Sequence, residues 1–269
     1  MYTEGEKADI LHGITVVVTR STEESKATAL KVMSLGGMPL IAPLIKVHFL
    51  AEDLGATGVG VIEISRYHGI IATSANAVRG LQRWLGLHAE LNSPDFLPPI
   101  FAVGQATLRT AEELGWSAQL FPDVKDSLGL AYALVNSFDK VPPHAHFLWP
   151  RGQMADTRWV PVLEQAGYKV QDVFVYRTDL SPWSLKLRNH LLTIPRLVVL
   201  LFSPSAVFSL QQSDTGGLLR TKSGTLFACI GNTTLRSAQD GGLREVVVAK
   251  HPTDSELLQA VSEAIQRGF

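Results

Sequence analysis

The feature that most constrains the fold is a stretch of sequence that occurs twice. Residues 101–116 are FAVGQATLRTAEELGW, and residues 228–243 are ACIGNTTLRSAQDGGL. Each copy is a short apolar run that ends in glycine, then a polar turn, then a segment with a helical apolar stripe. This pattern predicts a strand, a tight turn and a helix whose first N–H groups are free to bind an anion. Two such ends indicate a duplicated architecture with the ligand between the copies.

The repeat extends beyond this stretch. Two matched segments each begin with a strand that ends in an arginine, and we label them A and A′. The segments that follow them are labelled B and B′, so the chain has the order A, B, A′, B′. The matched positions are Thr19-Arg20 with Pro150-Arg151, Thr73-Ser74-Ala75-Asn76 with Phe202-Ser203-Pro204-Ser205, Gly104 with Gly231, Thr107 with Thr234, and Asp126-Ser127 with Asp254-Ser255. Apolar, β-branched runs alternate with helical patterns throughout, which predicts an α/β fold with parallel sheets.

This order admits two arrangements of domains. Either each A–B half is one domain, or B and A′ form a contiguous domain while A returns to B′. Residues 39–47 and 170–178 both follow an A unit and both look extended, so they could pair as a two-stranded tie. Prolines in 39–47 exclude a central strand there and favour an edge strand or a connector. We favour the second arrangement, in which the two tethers form a hinge beside a ligand cleft.

The expected boundaries follow from this choice. Residues 1–44 with 179–269 form a discontinuous outer α/β lobe, and residues 45–178 form an inserted α/β lobe, with 39–47 and 170–179 as connecting strands. The expected fold class is therefore two parallel-sheet α/β lobes, joined by a two-stranded hinge, with the ligand cleft between them.

Composition argues against several classes of function. The 269 residues carry a formal net charge of -1, which argues against a nucleic-acid surface. The single cysteine, Cys229, excludes an internal disulfide, and its apolar surroundings predict a buried strand residue rather than a nucleophile. The N-terminus lacks a signal-peptide pattern, and the longest apolar run, 197–202, is too short to cross a membrane. We expect a cytoplasmic protein with no membrane association.

No familiar catalytic or nucleotide motif is present. The sequence contains no GxGxxG or Walker A pattern, no HxxxH or HExxH spacing, and no spacing that argues for a Ser-His-Asp or Cys-His set. What remains is a set of polar residues where parallel strands end, which is where open sheets bind ligands. Singly each is more typical of a helix cap than of a ligand contact, but together they suit a polyanion. The candidates are Arg20, Thr73, Ser74, Asn76, Gly104, Gln105, Thr107, Arg151, Gly152, Ser203, Ser205, Gly231, Asn232, Thr233 and Thr234.

Taken together, the ordered motifs resemble the uroporphyrinogen-III synthase (HemD-like) family over nearly the whole chain. They are VVVTR, TSANAV, AVGQAT, WPRG, VFVYRT, FSPSAV, CIGNTT and HPTDSELLQAV. The resemblance implies two α/β lobes of flavodoxin-like topology joined by a two-stranded ladder. It implies a lyase that dehydrates and cyclises the linear tetrapyrrole hydroxymethylbilane, with inversion of ring D, in haem biosynthesis. It implies no cofactor and no metal.

The resemblance also suggests roles for single residues. The tyrosine of VFVYRT, Tyr176, is the candidate acid for loss of the substrate hydroxyl, although a tyrosine packed against a lobe would fit the pattern as well. Thr107 and Thr234 carry over as cleft residues that grip carboxylates, and Ser74, Ser203 and Arg158 carry over with them. The only expected partner besides the bilane is a transient contact with hydroxymethylbilane synthase, and we expect a monomer.

Two other classes of function remain open. A two-lobed solute-binding or sensor module would close on an anion without catalysis, although a secreted one would carry a signal peptide. A flavodoxin-like regulatory domain would need a phosphate-acceptor aspartate or a flavin site at a strand end. The strand ends carry Arg, Ser, Thr and Gly instead.

Overall fold

The structure is a computed structural model, and it describes residues 9–50, 63–87, 97–137, 141–214 and 216–269. The weakly patterned region at 52–60 lies outside the described residues. The chain divides into two units. Unit 1 comprises Met1–Lys46 and Asp179–Phe269, and unit 2 comprises Val47–Thr178.

The described helices and strands alternate along the chain. In order they are β1 Thr15–Val18, α1 Thr22–Ser34, β2 Met38–Ile41, β3 Ile45–Phe49, a 3-10 turn Ile64–Arg66, β4 Gly69–Ala72, α2 Ala75–Leu87, β5 Ile100–Ala102, α3 Gln105–Glu113, β6 Ala118–Gln119, α4 Ser127–Val135, β7 His146–Gly152, α5 Val160–Gln165, β8 Lys169–Leu180, α6 Leu185–Thr193, β9 Leu197–Leu201, α7 Pro204–Ser213, α8 Leu218–Thr221, β10 Thr225–Cys229, α9 Asn232–Asp240, β11 Val246–Val248 and α10 Asp254–Gln266.

Unit 1 is built on a five-stranded sheet with the order β2-β1-β9-β10-β11, in which neighbouring strands are parallel. Its central strands are buried on both faces, as their continuous apolar runs predict. Successive side chains of β1 alternate between two clusters: Val17 packs with Leu210 of α7, and Val16 and Val18 pack with Val261 of α10. Helices therefore cover both faces of the sheet.

Unit 2 is built on a six-stranded sheet with the order β3-β8-β7-β4-β5-β6. The pairs β8–β7, β7–β4, β4–β5 and β5–β6 are parallel. The cluster on one face joins α2 to β4 and β8, and the cluster on the other joins α4 and α5 to β7. The chain passes from one unit to the other within β3 and within β8, which are neighbours in this sheet.

The two sheets have the same spatial order once the repeat is taken into account. In unit 1 the A strands β1 and β2 lie beside the B′ strands β9, β10 and β11. In unit 2 the A′ strands β7 and β8 lie beside the B strands β4, β5 and β6. The units therefore differ by a permutation of the chain, and the predicted α/β fold with parallel sheets is confirmed.

Several boundaries differ from the prediction. Residues 39–47 are two elements: β2 is an edge strand of the unit 1 sheet, as its proline requires, and only β3 passes to unit 2. Strand β7 continues past Trp149 to Gly152, and the buried Pro150 pairs with Val173 of β8. Helices α6 and α8 were not predicted. The Ser184 cap, which accepts the Leu187 N–H at 3.3 Å, is the signal that could have located α6.

Candidate functional site

In each unit the chain order reverses between two adjacent central strands. The reversal lies between β1 and β9 in unit 1 and between β7 and β4 in unit 2. Parallel strands of this kind leave a crevice beyond their carboxyl ends, where ligands bind. Most of the residues chosen from the sequence lie at these two positions or at the following helix starts.

In unit 2 the structure brings two of the chosen residues together. Tyr176 lies on β8, and its Oη is 3.2 Å from Oγ of Ser74, which immediately precedes α2. Ser74 Oγ also accepts the N–H of Ala77 at 3.1 Å, so the serine caps the helix. Since one lone pair of Oγ is occupied by this N–H, the Ser74 hydroxyl is free to donate to the Tyr176 oxygen.

The ring of Tyr176 lies directly against the backbone of Gly152. A Cβ at Gly152 would stand 2.7 Å from Cζ, 2.8 Å from Cε2 and 3.0 Å from Oη of Tyr176. Only glycine leaves room for the ring at this distance. The sequence suggested that Gly152 binds substrate, whereas here it contacts the tyrosine.

Arg151 is held by its own unit. Its Nε and Nη2 lie 2.7 Å and 2.6 Å from Oδ2 of Asp172, and its Nη1 donates to the carbonyls of Gly152 and Gln153, both at 3.3 Å. The guanidinium carbon lies 4.3 Å from the centre of the Phe174 ring. In this structure Arg151 therefore fixes the end of β7, and its donors are occupied by protein atoms.

Arg20 has the same role in unit 1. Its Nη1 donates to Oδ1 of Asp254 at 2.9 Å, and its guanidinium carbon lies 4.2 Å above the Phe202 ring. Thr28 Oγ1 donates to the other oxygen of Asp254 at 2.6 Å. Ser203 caps α7 by accepting the N–H of Ala206 at 3.1 Å. The cap interpretation, which the sequence favoured for single residues, thus holds for both Ser74 and Ser203.

The repeated stretches form the helix starts that the sequence predicted. Helices α3 and α9 are each nine residues long, and each begins one residue after its matched glycine, Gly104 or Gly231. Gly104 has a φ of 80°, a conformation that favours glycine. The exposed residues at these starts and at the start of α7 are Gly104, Gln105, Ser205, Asn232 and Thr233, and Thr73 and Gly231 are partly exposed.

The two threonines expected to grip carboxylates are buried. Thr107 and Thr234 are each 3% exposed, on the inner faces of α3 and α9. The side chains point inward because each threonine lies two positions into its helix, on the apolar stripe. A direct contact with substrate would need one of these hydroxyls to become accessible, so that role stays a prediction.

Two further candidates have local partners. Arg158 forms an exposed pair with Asp156, with Nη2 and Oδ2 at 2.7 Å, and this hydrogen bonding lowers the pKa of Asp156 to about 2. The structure does not bring Arg158 to Tyr176. Asn76 Oδ1 accepts from Nη1 of Arg79, one turn further along α2, at 3.3 Å. Sequence reasoning missed Asp172 and Phe174, although an acid inside the apolar run VQDVFV was a usable signal.

The remaining predictions concern the cysteine, metal binding and membrane spans. Cys229 is buried in β10, as predicted, and burial raises the pKa of its thiol to about 12. Among the described residues, no group of three or more His, Cys, Asp or Glu side chains is placed to hold a metal ion. Within the same described ranges, no helix is both long and apolar enough to cross a membrane.

Comparison with known proteins identifies the family. Among curated proteins, none matches the sequence significantly. A mutant uroporphyrinogen III synthase from the extremely thermophilic bacterium Thermus thermophilus has a similar fold, with a TM-score of 0.58, 18% identity, and coverage of 94% of this chain and 99% of that one. The uroporphyrinogen-III synthetase of Helicobacter pylori has a TM-score of 0.59, 17% identity, and coverage of 94% and 99%.

The sequence itself is matched by a family model, described as uroporphyrinogen-III synthase HemD, over residues 26–259. This match spans most of the chain and includes both helix starts of the repeat as well as Tyr176. The chain belongs to the uroporphyrinogen-III synthase family, and it is an enzyme of tetrapyrrole and haem biosynthesis.

Proposed function

We propose that this enzyme is a hydro-lyase that converts hydroxymethylbilane to uroporphyrinogen III, with inversion of ring D and loss of water. Family membership supports the overall reaction. The observation that carries the proposal for this chain is the pair Tyr176–Ser74 at the chain reversal of unit 2, with Oη and Oγ at 3.2 Å. A phenol opposite the end of β7, beside a helix start, supplies a proton donor where a ligand is expected to lie.

Tyr176 is the acid for the first step in this proposal. The C–O bond of the substrate hydroxymethyl group breaks as the pyrrole supplies the electron pair, and the phenol proton leaves with the oxygen as water. The pyrrole N–H proton is then lost and restores the phenol, so the products are an azafulvene and water. The azafulvene closes to a spiro-pyrrolenine, which fragments and closes again as the type III ring.

Ser74 supports this acid through the hydrogen bonds it makes. Its Oγ accepts the Ala77 N–H at 3.1 Å, which leaves its own proton to point at the Tyr176 oxygen. As the phenol gives up its proton, that hydrogen bond and the positive end of α2 stabilise the developing negative charge. Ser74 is therefore a positioning residue that acts through Tyr176.

The substrate carboxylates are proposed to bind at helix starts. The first backbone N–H groups of α3 and α9 lack partners within their helices and suit anions. At the start of α7 the N–H of Ser205 can do the same, whereas Pro204 has no N–H and that of Ala206 donates to Ser203. The exposed residues there are Gly104, Gln105, Ser205, Asn232 and Thr233. Binding of this kind needs few basic side chains, which agrees with a net charge of -1 and with the pairing of Arg20 to Asp254 and of Arg151 to Asp172. The predicted ligand cleft between the lobes stays a prediction.

An isomer assay tests the proposal. Freshly made hydroxymethylbilane is incubated with the purified protein, the products are oxidised to uroporphyrins, and types I and III are separated by chromatography. Without enzyme the bilane closes to type I, so we expect type III in the presence of the protein, at a rate proportional to its concentration. Type I alone, at the spontaneous rate, would contradict the proposed function.

We further propose that the enzyme acts as a cytoplasmic monomer and receives its labile bilane through transient contact with hydroxymethylbilane synthase. The substrate closes spontaneously to the wrong isomer, so a short path between the two enzymes preserves it. Sedimentation velocity gives the oligomeric state. If the contact matters, an inactive hydroxymethylbilane synthase added as a competitor should raise the fraction of type I product in the coupled reaction.

A further inference from the structure

The strand that carries Tyr176 does not alternate regularly. Val173 and Val175 both pack in the cluster beneath α2, and Val175 lies so close that a Cβ at Gly80 of that helix would meet its carbonyl oxygen at 2.8 Å. Phe174, between them, lies on the opposite face under the guanidinium of Arg151. Regular alternation of side chains would place Tyr176 on the face of Phe174, away from α2.

A bulge changes the face of the tyrosine. Along β7 and β8, Arg151 pairs with Phe174, but the next residue, Gly152, pairs with Tyr176, so Val175 is an extra residue in β8. Tyr176 consequently packs against the same cluster as Val173 and Val175. This is the face on which α2 begins, and there the hydroxyl meets Ser74. Bulges next to active sites commonly re-aim a side chain in this way.

The residue opposite the bulge must leave space for the ring. Gly152 faces Tyr176 with no side chain, and any Cβ there would stand 2.7 Å from Cζ of the ring, closer than real contacts allow. The N–H of Gln153 donates to the carbonyl of Tyr176 at 3.3 Å and continues the ladder beyond the bulge. The glycine and the bulge together therefore determine where the phenol points.

We propose that Gly152 is a positioning residue for Tyr176: the bare backbone opposite the β8 bulge holds the phenol on the α2 side, at Ser74. This inference rests on the proposed function, because it assigns a role to Gly152 in the same reaction. It replaces the contact with substrate that the sequence suggested for this glycine.

The test is Gly152→Ala, compared with two other glycines. We expect kcat for type III formation to fall about 100-fold, as for loss of the phenol proton, with KM changed less than about threefold. Gly86→Ala, where a Cβ meets nothing within 4 Å, should leave kcat unchanged. Gly69→Ala crowds the Phe101 ring in the core of the same unit, so it should lower Tm while kcat per folded molecule is retained. An unchanged kcat in Gly152→Ala would overturn the inference.

A double-mutant cycle separates positioning from general damage. Because Gly152 acts through the phenol, Gly152→Ala added to Tyr176→Phe should cause no further loss of kcat. Losses that multiply would overturn the inference.

A second cycle needs no activity and tests the geometry even if the proposed function fails. Gly152→Ala should lower Tm by several degrees in the native background but not in Tyr176→Ala, where the ring is gone. An equal Tm shift in both backgrounds would show that the glycine does not act on the ring. Absence of type III product from the native enzyme would contradict the proposed function alone.

Discussion

The two units share a sheet order and differ in chemistry at the point where the chain reverses. In each unit a serine precedes the helix that follows the first B strand: Ser203 before α7 and Ser74 before α2. Each serine accepts an N–H at 3.1 Å. Only Ser74 also meets a phenol, because β8 runs for 12 residues whereas its counterpart β2 in unit 1 has four. Both units thus have a capping serine, and the longer strand β8 brings Tyr176 to one of them.

The matched arginines, by contrast, make similar contacts in the two units. Arg20 and Arg151 occupy equivalent places, and both are neutralised by an aspartate of their own unit and stacked on a phenylalanine. The aspartates are not equivalent: Asp254 starts α10, whereas Asp172 lies on β8. The arginine is therefore a repeated structural element with two different partners, and its contact with substrate stays a prediction.

The largest expected effect comes from the phenol of Tyr176, since the described part of unit 1 contains no tyrosine. Tyr176→Phe removes the proposed acid but keeps the ring, so we expect kcat for type III formation to fall about 100-fold with little change in Tm. Tyr132→Phe is the matched control, because Tyr132 is 54% exposed on α4 of the same unit. Initial rates of type III formation for both variants check this. Equal rates for Tyr176→Phe and the native enzyme would remove Tyr176 from the mechanism.

The two arginine pairs should differ in stability. The Asp254 side chain is 15% exposed and accepts from both Arg20 and Thr28, so Asp254→Ala should lower the free energy of unfolding by about 2 kcal/mol. The Asp172 side chain is 47% exposed, so water screens its ion pair, and Asp172→Ala should cost about 0.5–1 kcal/mol. Urea unfolding measures both. A larger loss for Asp172→Ala would reverse this ranking.

Substitution of the two capping serines distinguishes an effect on stability from an effect on catalysis. Ser74→Ala and Ser203→Ala should each lower the free energy of unfolding by about 1 kcal/mol, because each removes a helix cap. Only Ser74→Ala should also lower kcat, by about tenfold, since only Ser74 lies within hydrogen-bond distance of the Tyr176 phenol. Parallel measurements of unfolding and of initial rate are needed. An equal effect of both serines on kcat would show that the cap, and not the contact with Tyr176, matters.

The smallest effect concerns the amino-terminal end of β7, at the opposite end of the strand from Gly152. Burial, with smaller contributions from Lys169 and His68, lowers the pKa of His146, whose ring lies 4.7 Å from that of Tyr67. The unfolded chain therefore binds this proton more readily than the folded one. The free energy of unfolding should fall as the pH drops below about 6.5.

His146→Gln should make that decline shallower, as measured by urea unfolding between about pH 7 and about pH 5. The equivalent position in unit 1 is Thr15, which does not titrate. At about pH 8 and above, where His146 is neutral in the folded and in the unfolded chain, the free energies of unfolding of His146→Gln and the native protein should differ only by a constant. An unchanged slope would show that His146 does not couple to folding.

Many of the strands and helices could be predicted from the sequence, because the signals for them are local. Continuous apolar runs indicated β1, β9 and β10, and the repeated glycines indicated that α3 and α9 begin shortly after them. The prolines at 39–47 correctly excluded a central strand. These features depend on propensities and periodicities within a few residues.

The arrangement of the site could not be predicted in the same way. The bulge that turns Tyr176 toward Ser74 depends on the register of two strands, and no motif in VFVYRT marks it. The partner of Arg20 lies 234 residues further along the chain. The burial of Thr107 could have been inferred, because it falls on the apolar stripe of its own helix.

The permuted order of unit 1 has a consequence for the synthesis of the chain on the ribosome. Strand β1 lies between β2 and β9, and Thr19 donates to the carbonyl of Leu200, 181 residues later. At about 5–20 residues per second, a ribosome makes that partner roughly 10 to 40 seconds after β1. Every described strand of the unit 2 sheet is complete before β9 emerges. During synthesis, residues 15–18 therefore wait for their β9 partner while the inserted unit is finished, and the first strand made belongs to the last sheet assembled.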